Sequence, residues 1–160
     1  MAPMAPTAPA ALALALQDGL GESLGRGALA ILAYAALGLV LFVAGFYVLD
    51  VATPGKLSQI IRAERNPNAT LLTAAGMAGV GLIVAASIFA SGGNLADGLL
   101  ATLVFGAIGI VAQTVAMLVF DRLIGIDIRE LVKAPQLEPA AMLLGTTRVM
   151  IGVVTAIAVI

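Results

Sequence analysis

Residues 98–120 have the sequence GLLATLVFGAIGIVAQTVAMLVF. It contains no charged residue, and about 20 consecutive apolar residues are enough for a helix to cross the hydrocarbon core of a bilayer. A helix of a soluble protein would need a polar face toward water, which this stretch lacks. We therefore predict a transmembrane helix here.

Three further stretches of similar length and composition predict an all-α integral membrane protein. Hydrophobic residues make up 61% of the 160-residue chain and charged residues only 11%, whereas soluble domains carry about 25% charged residues. So few charges cannot cover a globular surface in water. The four predicted transmembrane helices are residues 28–49, 69–90, 98–120 and 139–160.

The charges in the loops predict the orientation. Lysines and arginines concentrate in residues 50–68 and 121–138, while residues 91–97 contain none. Basic loops stay on the cytoplasmic side, so we predict that both basic loops are cytoplasmic, that residues 91–97 form an external loop and that both termini lie outside. Residues 1–27 are rich in Ala and Pro, and we predict that they form a flexible, outward-facing tail. The basic loop residues that we expect to face lipid are Lys56, Arg62, Arg65, Arg122, Arg129 and Lys133.

The two halves of the chain align with each other after a shift of 71 residues, which places Asp50 on Asp121. Each half crosses the membrane twice, so its copy enters in the same orientation. We therefore predict a parallel duplication of a two-helix unit, residues 28–90 and 98–160. The apolar spacing in each predicted cytoplasmic loop also predicts a short amphipathic helix on the membrane surface. The helix in the second loop is expected to start at Asp127. Their apolar residues are Leu57, Ile60 and Ile61 in the first loop and Ile128, Leu131 and Val132 in the second.

Three motifs in the first half carry a family resemblance. The run GLVLFVAGFYVLD at residues 38–50 is followed by TPGKL at residues 53–57 and RNPNA at residues 65–69. With the tandem two-helix repeat, they resemble the bacterial inner-membrane family called domain of unknown function 350, over residues 29–160. The second copy departs from both short motifs. The resemblance implies a four-helix protein of the bacterial inner membrane, and it brings no catalytic residue.

Two strongly polar side chains, Arg148 and Gln113, fall inside the predicted spans. A central arginine costs about 2.5–3.5 kcal/mol on insertion scales, and the predicted spans contain no carboxylate. Arg148 either lines a wet cavity or a subunit seam, or it extends toward Glu138 or Asp121 at the head-group level. Gln113 either bonds neighbouring helices or lines the same pathway.

Two aspartates, Asp50 and Asp121, end the first and third predicted spans at equivalent positions. A negative charge is unfavourable at a helix C-terminus, so we expect a basic partner such as Lys56 or Arg122. The two carboxylates are either simple boundary residues with basic neighbours or a pair at the mouth of a cytoplasmic vestibule.

Small residues predict where the helices pack. Helices in lipid associate where glycine lets two backbones approach closely, because lipid supplies no hydrophobic driving force between them. The glycines that we expect at helix contacts are Gly38, Gly45, Gly81, Gly106, Gly109, Gly145 and Gly152.

The composition also limits the function. The chain contains neither Cys nor His, which removes most nucleophiles, metal ligands and acid–base groups, so we predict no enzyme, no metal site and no cofactor. A net charge of −1 argues against nucleic acid as a partner. We predict a homo-oligomer that forms a pore-like or lipid-filled assembly able to pass or gate a small solute. The alternative is a non-catalytic membrane scaffold or accessory subunit that binds other membrane proteins or anionic lipid.

Overall fold

The computed structural model describes residues 8–52, 57–92 and 94–160. Within these ranges the chain forms helices and loops and no strand. The helices are α1 (Ala8–Ala52), α2 (Leu57–Arg62), α3 (Pro67–Ala90), α4 (Leu95–Ile124), α5 (Ile128–Leu131) and α6 (Pro139–Val159).

Four helices in the described part of the chain are long and apolar enough to cross a membrane. The prediction of an all-α protein with four candidate transmembrane helices is thereby confirmed. Each half of the chain contains a long helix, a short helix and a second long helix. The short helices α2 and α5 lie where the sequence predicts short helices. The duplication itself and a position of α2 and α5 on the membrane surface stay predictions. The four candidate spans are Gly19–Ala52, Pro67–Ala90, Leu95–Ile124 and Pro139–Val159.

Helix α4 is longer at both ends than the predicted span of residues 98–120. It begins after Asn94, whose Oδ1 accepts the Asp97 backbone N–H at 3.0 Å, which satisfies one of the free donors of the first turn. It ends before Gly125, which has a φ of 70°, a left-handed conformation that glycine adopts without steric cost. Asp121 therefore lies inside the helix, and the prediction that it ends the helix was wrong.

The chain divides into two units, residues 1–35 and residues 36–160. In the first unit the described residues belong to α1 from Ala8 onward, where the sequence predicts a flexible tail. Alanine and leucine, which dominate this stretch, are strong helix formers, and Arg26 pairs with Glu22 one turn earlier. Residues 1–7 of the predicted tail lie outside the described residues.

In the second unit, α3, α4 and α6 pack against one another, and the contact between α3 and α6 is the most extensive. The interior is formed by apolar clusters at successive levels along the helices. The cluster nearest the loops joins α3, α5 and α6 through Leu72, Leu131 and Leu144, and Ile60 and Ile61 of α2 pack against it. We call this end of the unit, where residues 57–66 and 125–138 lie, the loop end. The middle cluster contains Leu41, Leu49, Val80, Val84, Ile110 and Met117, and the far cluster contains Ile83, Ala86 and Ala156.

Every glycine predicted to pack helices lies against a neighbouring helix. The closest approach is between α6 and α3, where Gly152 faces the backbone of Gly79 with no room for a side chain on Gly152. A Cβ atom added to Gly45 would lie 2.7 Å from Val80. The remaining contacts are Gly106 with Leu41, Gly109 with Ile83, Gly38 with Val84, Gly81 with Phe42, and Gly145 with Leu71.

Candidate functional site

The arginine in the middle of α6 has a carboxylate partner in the same chain. Nη2 of Arg148 donates to Oδ2 of Asp121 at 3.1 Å, and the two side chains are 3% and 9% exposed. Arginine side chains lean toward the N-terminus of their helix, and α6 begins at the loop end, where α4 finishes. This places the guanidinium beside Asp121. Of the two alternatives for Arg148, the structure shows the one in which its side chain reaches Asp121. For Asp121, this partner replaces the expected pairing with a loop residue such as Arg122.

Both intramembrane polar side chains bond to the same face of α3. Nη1 of Arg148 donates to the Leu72 carbonyl oxygen at 3.4 Å, and Nε2 of Gln113 donates to the Gly76 carbonyl oxygen at 3.1 Å. Residues four apart in a helix lie on one face, about 6 Å apart along the axis. Helix α3 therefore holds one polar residue from α4 and one from α6 at adjacent turns. We call Gln113, Asp121 and Arg148 the polar seam.

Two atoms of the polar seam are buried without a hydrogen-bond partner in the described part of the chain, Oε1 of Gln113 and Nε of Arg148. An unsatisfied buried polar group costs about 1–3 kcal/mol. Gln113 is only 1% exposed, and its amide occupies the space that a side chain on Gly79 would fill. The polar seam is thus enclosed by protein rather than facing lipid.

At the loop end, Asp121 also lines an open cavity of about 420 Å³. Arg122, Asp127 and Arg129 lie on the same wall. A second cavity of about 650 Å³ adjoins it and shares Ala52 and Leu118 with it. The second cavity has apolar walls and is lined by Tyr47, Val48, Val51, Ala52, Thr114 and Leu118. Together they form one groove between the last turns of α1 and α4, which we call the α1–α4 groove.

A buried asparagine ties the two loops together. The Nδ2 group of Asn68, which is 0% exposed, lies within hydrogen-bond distance of the carbonyl oxygens of Leu131, Ala134 and Gln136 at 3.1, 3.2 and 2.8 Å. Its Oδ1 accepts the backbone N–H of Glu138 at 2.8 Å. One side chain therefore contacts four backbone groups of the opposite loop.

Asn66 reinforces this connection. Its Oδ1 accepts the Ala69 backbone N–H at 2.9 Å and so caps α3, while its Nδ2 donates to the Ala134 carbonyl oxygen at 2.9 Å. We call Asn66 and Asn68 the asparagine latch. Sequence reasoning missed this role, although the Asn-Pro-Asn pattern and its absence from the second copy were a signal.

Five of the six predicted lipid-facing residues are described, and they lie at or next to the loop end. Lys56 falls outside the described residues, and Asp50 is half-buried in the last turns of α1. No group of three acidic side chains that could hold a metal ion occurs among residues 8–52, 57–92 and 94–160. The exposed basic side chains are Arg62, Arg65, Arg122, Arg129 and Lys133.

A comparison with protein families matches residues 22–159 to the Domain of Unknown Function (DUF350). The chain belongs to this family. The matched range contains the polar seam, the asparagine latch and the α1–α4 groove, and the resemblance drawn from the motifs in residues 38–69 is confirmed.

Bacterial relatives support the membrane assignment. The chain is similar to a UPF0719 transmembrane protein of Mycolicibacterium paratuberculosis, with 34% identity over 134 residues, which covers 84% of this chain and 89% of the relative. It is also similar to a UPF0719 transmembrane protein of Mycobacterium bovis, with 32% identity over 115 residues, or 72% of this chain and 76% of the relative. No solved structure matches the chain.

Proposed function

We propose that this DUF350 protein is a non-catalytic scaffold of the bacterial inner membrane that binds anionic lipid at its loop end. The observation that carries the proposal is the ion pair between Arg148 and Asp121. Because the central arginine is neutralised inside its own chain, it is not needed to line a pore. The charges left for interaction with the surroundings are those of the loops.

The placement of the loop charges supports lipid binding. Residues 50–68 and 121–138 contain six basic and six acidic side chains, but Asp121 is neutralised by Arg148. Long lysine and arginine side chains reach lipid phosphates while their stems stay on apolar surface, and each contributes about 1 kcal/mol near an anionic leaflet. The asparagine latch holds both loops together as one platform. By the positive-inside rule this platform faces the cytoplasm.

Thermal unfolding of the purified protein in detergent tests the proposal. We expect phosphatidylglycerol to raise the Tm more than phosphatidylcholine does, and the difference to shrink with salt, since the Debye length falls from about 10 Å at 0.1 M to about 3 Å at 1 M. Combined Arg62→Gln, Arg65→Gln and Lys133→Gln substitutions should reduce the effect. Arg26→Gln, a single basic residue on the predicted outer side, is the control and should preserve the effect. Equal stabilisation of the wild-type protein by both lipids would contradict the proposal.

The second candidate is a homo-oligomer that passes or gates a small solute. The two unpaired atoms of the polar seam favour it, because water molecules entering from a pathway would donate to Oε1 of Gln113 and accept from the Nε–H group of Arg148. Chloride flux into proteoliposomes separates the candidates. Flux by the wild type that is lost in a folded Arg148→Met variant supports the pore, whereas no flux supports the scaffold. A single-particle image with a central opening would also favour the pore.

A further inference from the structure

The α1–α4 groove combines two environments along one continuous surface. Its larger part is apolar, formed by α1 around Val51 and by α4 around Leu118. Its smaller part, toward the loop end, is polar and includes Arg122 and Arg129. From Thr114 to Arg122 the groove follows α4 for about 12 Å at helical rise. An occupant must therefore be apolar along this length and polar at one end.

The charge at the polar end favours an anion. Asp121 is engaged by Arg148, and Oδ1 of Asp127 accepts the backbone N–H groups of Arg129 and Glu130 at 2.9 and 3.3 Å. The guanidinium groups of Arg122 and Arg129 have no hydrogen-bond or ion-pair partner among the described residues. Both carboxylates thus serve the protein itself, while both arginines remain available.

We propose that the α1–α4 groove binds one anionic phospholipid, with its phosphate between Arg122 and Arg129 and an acyl chain along Val51 and Leu118. Guanidinium groups match phosphate oxygens with paired, charge-assisted hydrogen bonds. The chain attached to that phosphate supplies the apolar part that the rest of the groove requires. This inference rests on the proposed function and adds to it a single site of defined composition.

Native mass spectrometry of the full chain, released from detergent, measures the site directly. We expect phosphatidylglycerol to give a one-to-one adduct that phosphatidylcholine and inorganic phosphate do not give. The double variant Arg122→Gln and Arg129→Gln should weaken this adduct about 30-fold, which corresponds to about 2 kcal/mol at about 1.4 kcal/mol per factor of ten. Arg62→Gln with Lys133→Gln removes the same charge outside the groove and should weaken the adduct less than the groove variant does. Arg26→Gln, on the predicted outer side, is the control and should leave the adduct unchanged.

A second pair of variants tests the apolar part without changing charge. Leu118→Trp fills the groove where its two cavities meet and should abolish the adduct. Val115→Trp, at an exposed position on the same helix that does not line the groove, should retain it.

The remaining outcomes separate the groove from the proposed function. Equal weakening by both charge variants, with no effect of Leu118→Trp, would overturn the groove while leaving a diffuse basic platform intact. Binding of inorganic phosphate as tightly as phosphatidylglycerol would also overturn it, since the apolar part would then contribute nothing. A dimer that excludes lipid would assign the groove to a second copy of the chain. If the wild type does not prefer phosphatidylglycerol to phosphatidylcholine, both the groove and the proposed function fail.

Discussion

At the scale of single residues, Arg148 shows how a charge is tolerated inside an apolar bundle. The ion pair with Asp121 offsets part of the desolvation of both charges, and the Leu72 carbonyl oxygen accepts a further hydrogen bond. Replacing a whole buried ion pair by apolar residues is often neutral, whereas removing one partner is costly. The pair therefore adds little net stability, but each member depends strongly on the other.

Gln113 should contribute less to stability than its burial suggests. Gln113→Met loses the hydrogen bond to Gly76 but also removes the unpaired Oε1 atom, and these two effects offset each other. We expect the free energy of unfolding, measured by SDS titration in mixed micelles, to change by less than about 1 kcal/mol. A loss above about 2 kcal/mol would show that Oε1 has a partner, such as a buried water.

The sequence identified Arg148 and Gln113 as the polar residues inside the membrane, because charge and amide groups stand out in apolar runs. It left open whether Arg148 reaches Asp121, because that contact depends on where α4 ends. The end is set by the left-handed conformation of Gly125, which a hydropathy pattern does not encode. The role of Asn68 was missed because its partners are backbone atoms of a loop about 65 residues further along.

At the scale of elements, the crossing of α3 and α6 depends on two glycines. Gly152→Ala should cost about 1–3 kcal/mol, because the new methyl group would meet the backbone of Gly79, which cannot move aside as a side chain can. Gly38→Ala is the matched control, since its Cβ would lie at an ordinary 3.5 Å from Val84. SDS titration should find a large difference between these variants. Equal stability would mean that α3 and α6 do not approach this closely.

The asparagine latch should control how accessible the second loop is. Asn68→Ala removes the side-chain bonds to the Gln136 carbonyl oxygen and the Glu138 backbone N–H and weakens the hydrogen bonding at Leu131 and Ala134. The loop should therefore open, and trypsin should cleave after Lys133 at least several-fold faster. Asn94→Ala, an exposed cap at the start of α4, is the control and should leave this cleavage unchanged. An unchanged cleavage rate in Asn68→Ala would show that the loops are held by apolar packing alone.

For the whole molecule, the four apolar helices in the described part of the chain and the two basic loops predict the topology. The number and type of the long helices could be predicted from hydropathy, because an apolar segment of about 20 residues in lipid must satisfy its own backbone hydrogen bonds and does so as a helix. The exact ends of the helices could not be predicted from hydropathy, since capping residues rather than composition set them.

The predicted orientation can be checked with cysteine labelling, because the natural chain contains no Cys. We expect an impermeant maleimide to label Gly92→Cys in intact bacterial cells with a permeabilised outer membrane. Glu64→Cys, in the first basic loop, should react only after the inner membrane is disrupted. The reverse pattern would place the loop end outside and remove the basis for binding cytoplasmic-leaflet lipid.

A double-mutant cycle between Arg148 and Asp121, measured as the free energy of unfolding in mixed micelles, tests whether the two residues form an ion pair within one chain. If the ion pair lies inside one chain, Arg148→Met and Asp121→Ala should each cost about 3–5 kcal/mol. The double variant should then cost less than the sum of the two by about 2 kcal/mol or more. Additive costs, or an Asp121→Ala variant as stable as the wild type, would contradict the pairing and return Arg148 to the role of an unpaired pore or seam residue.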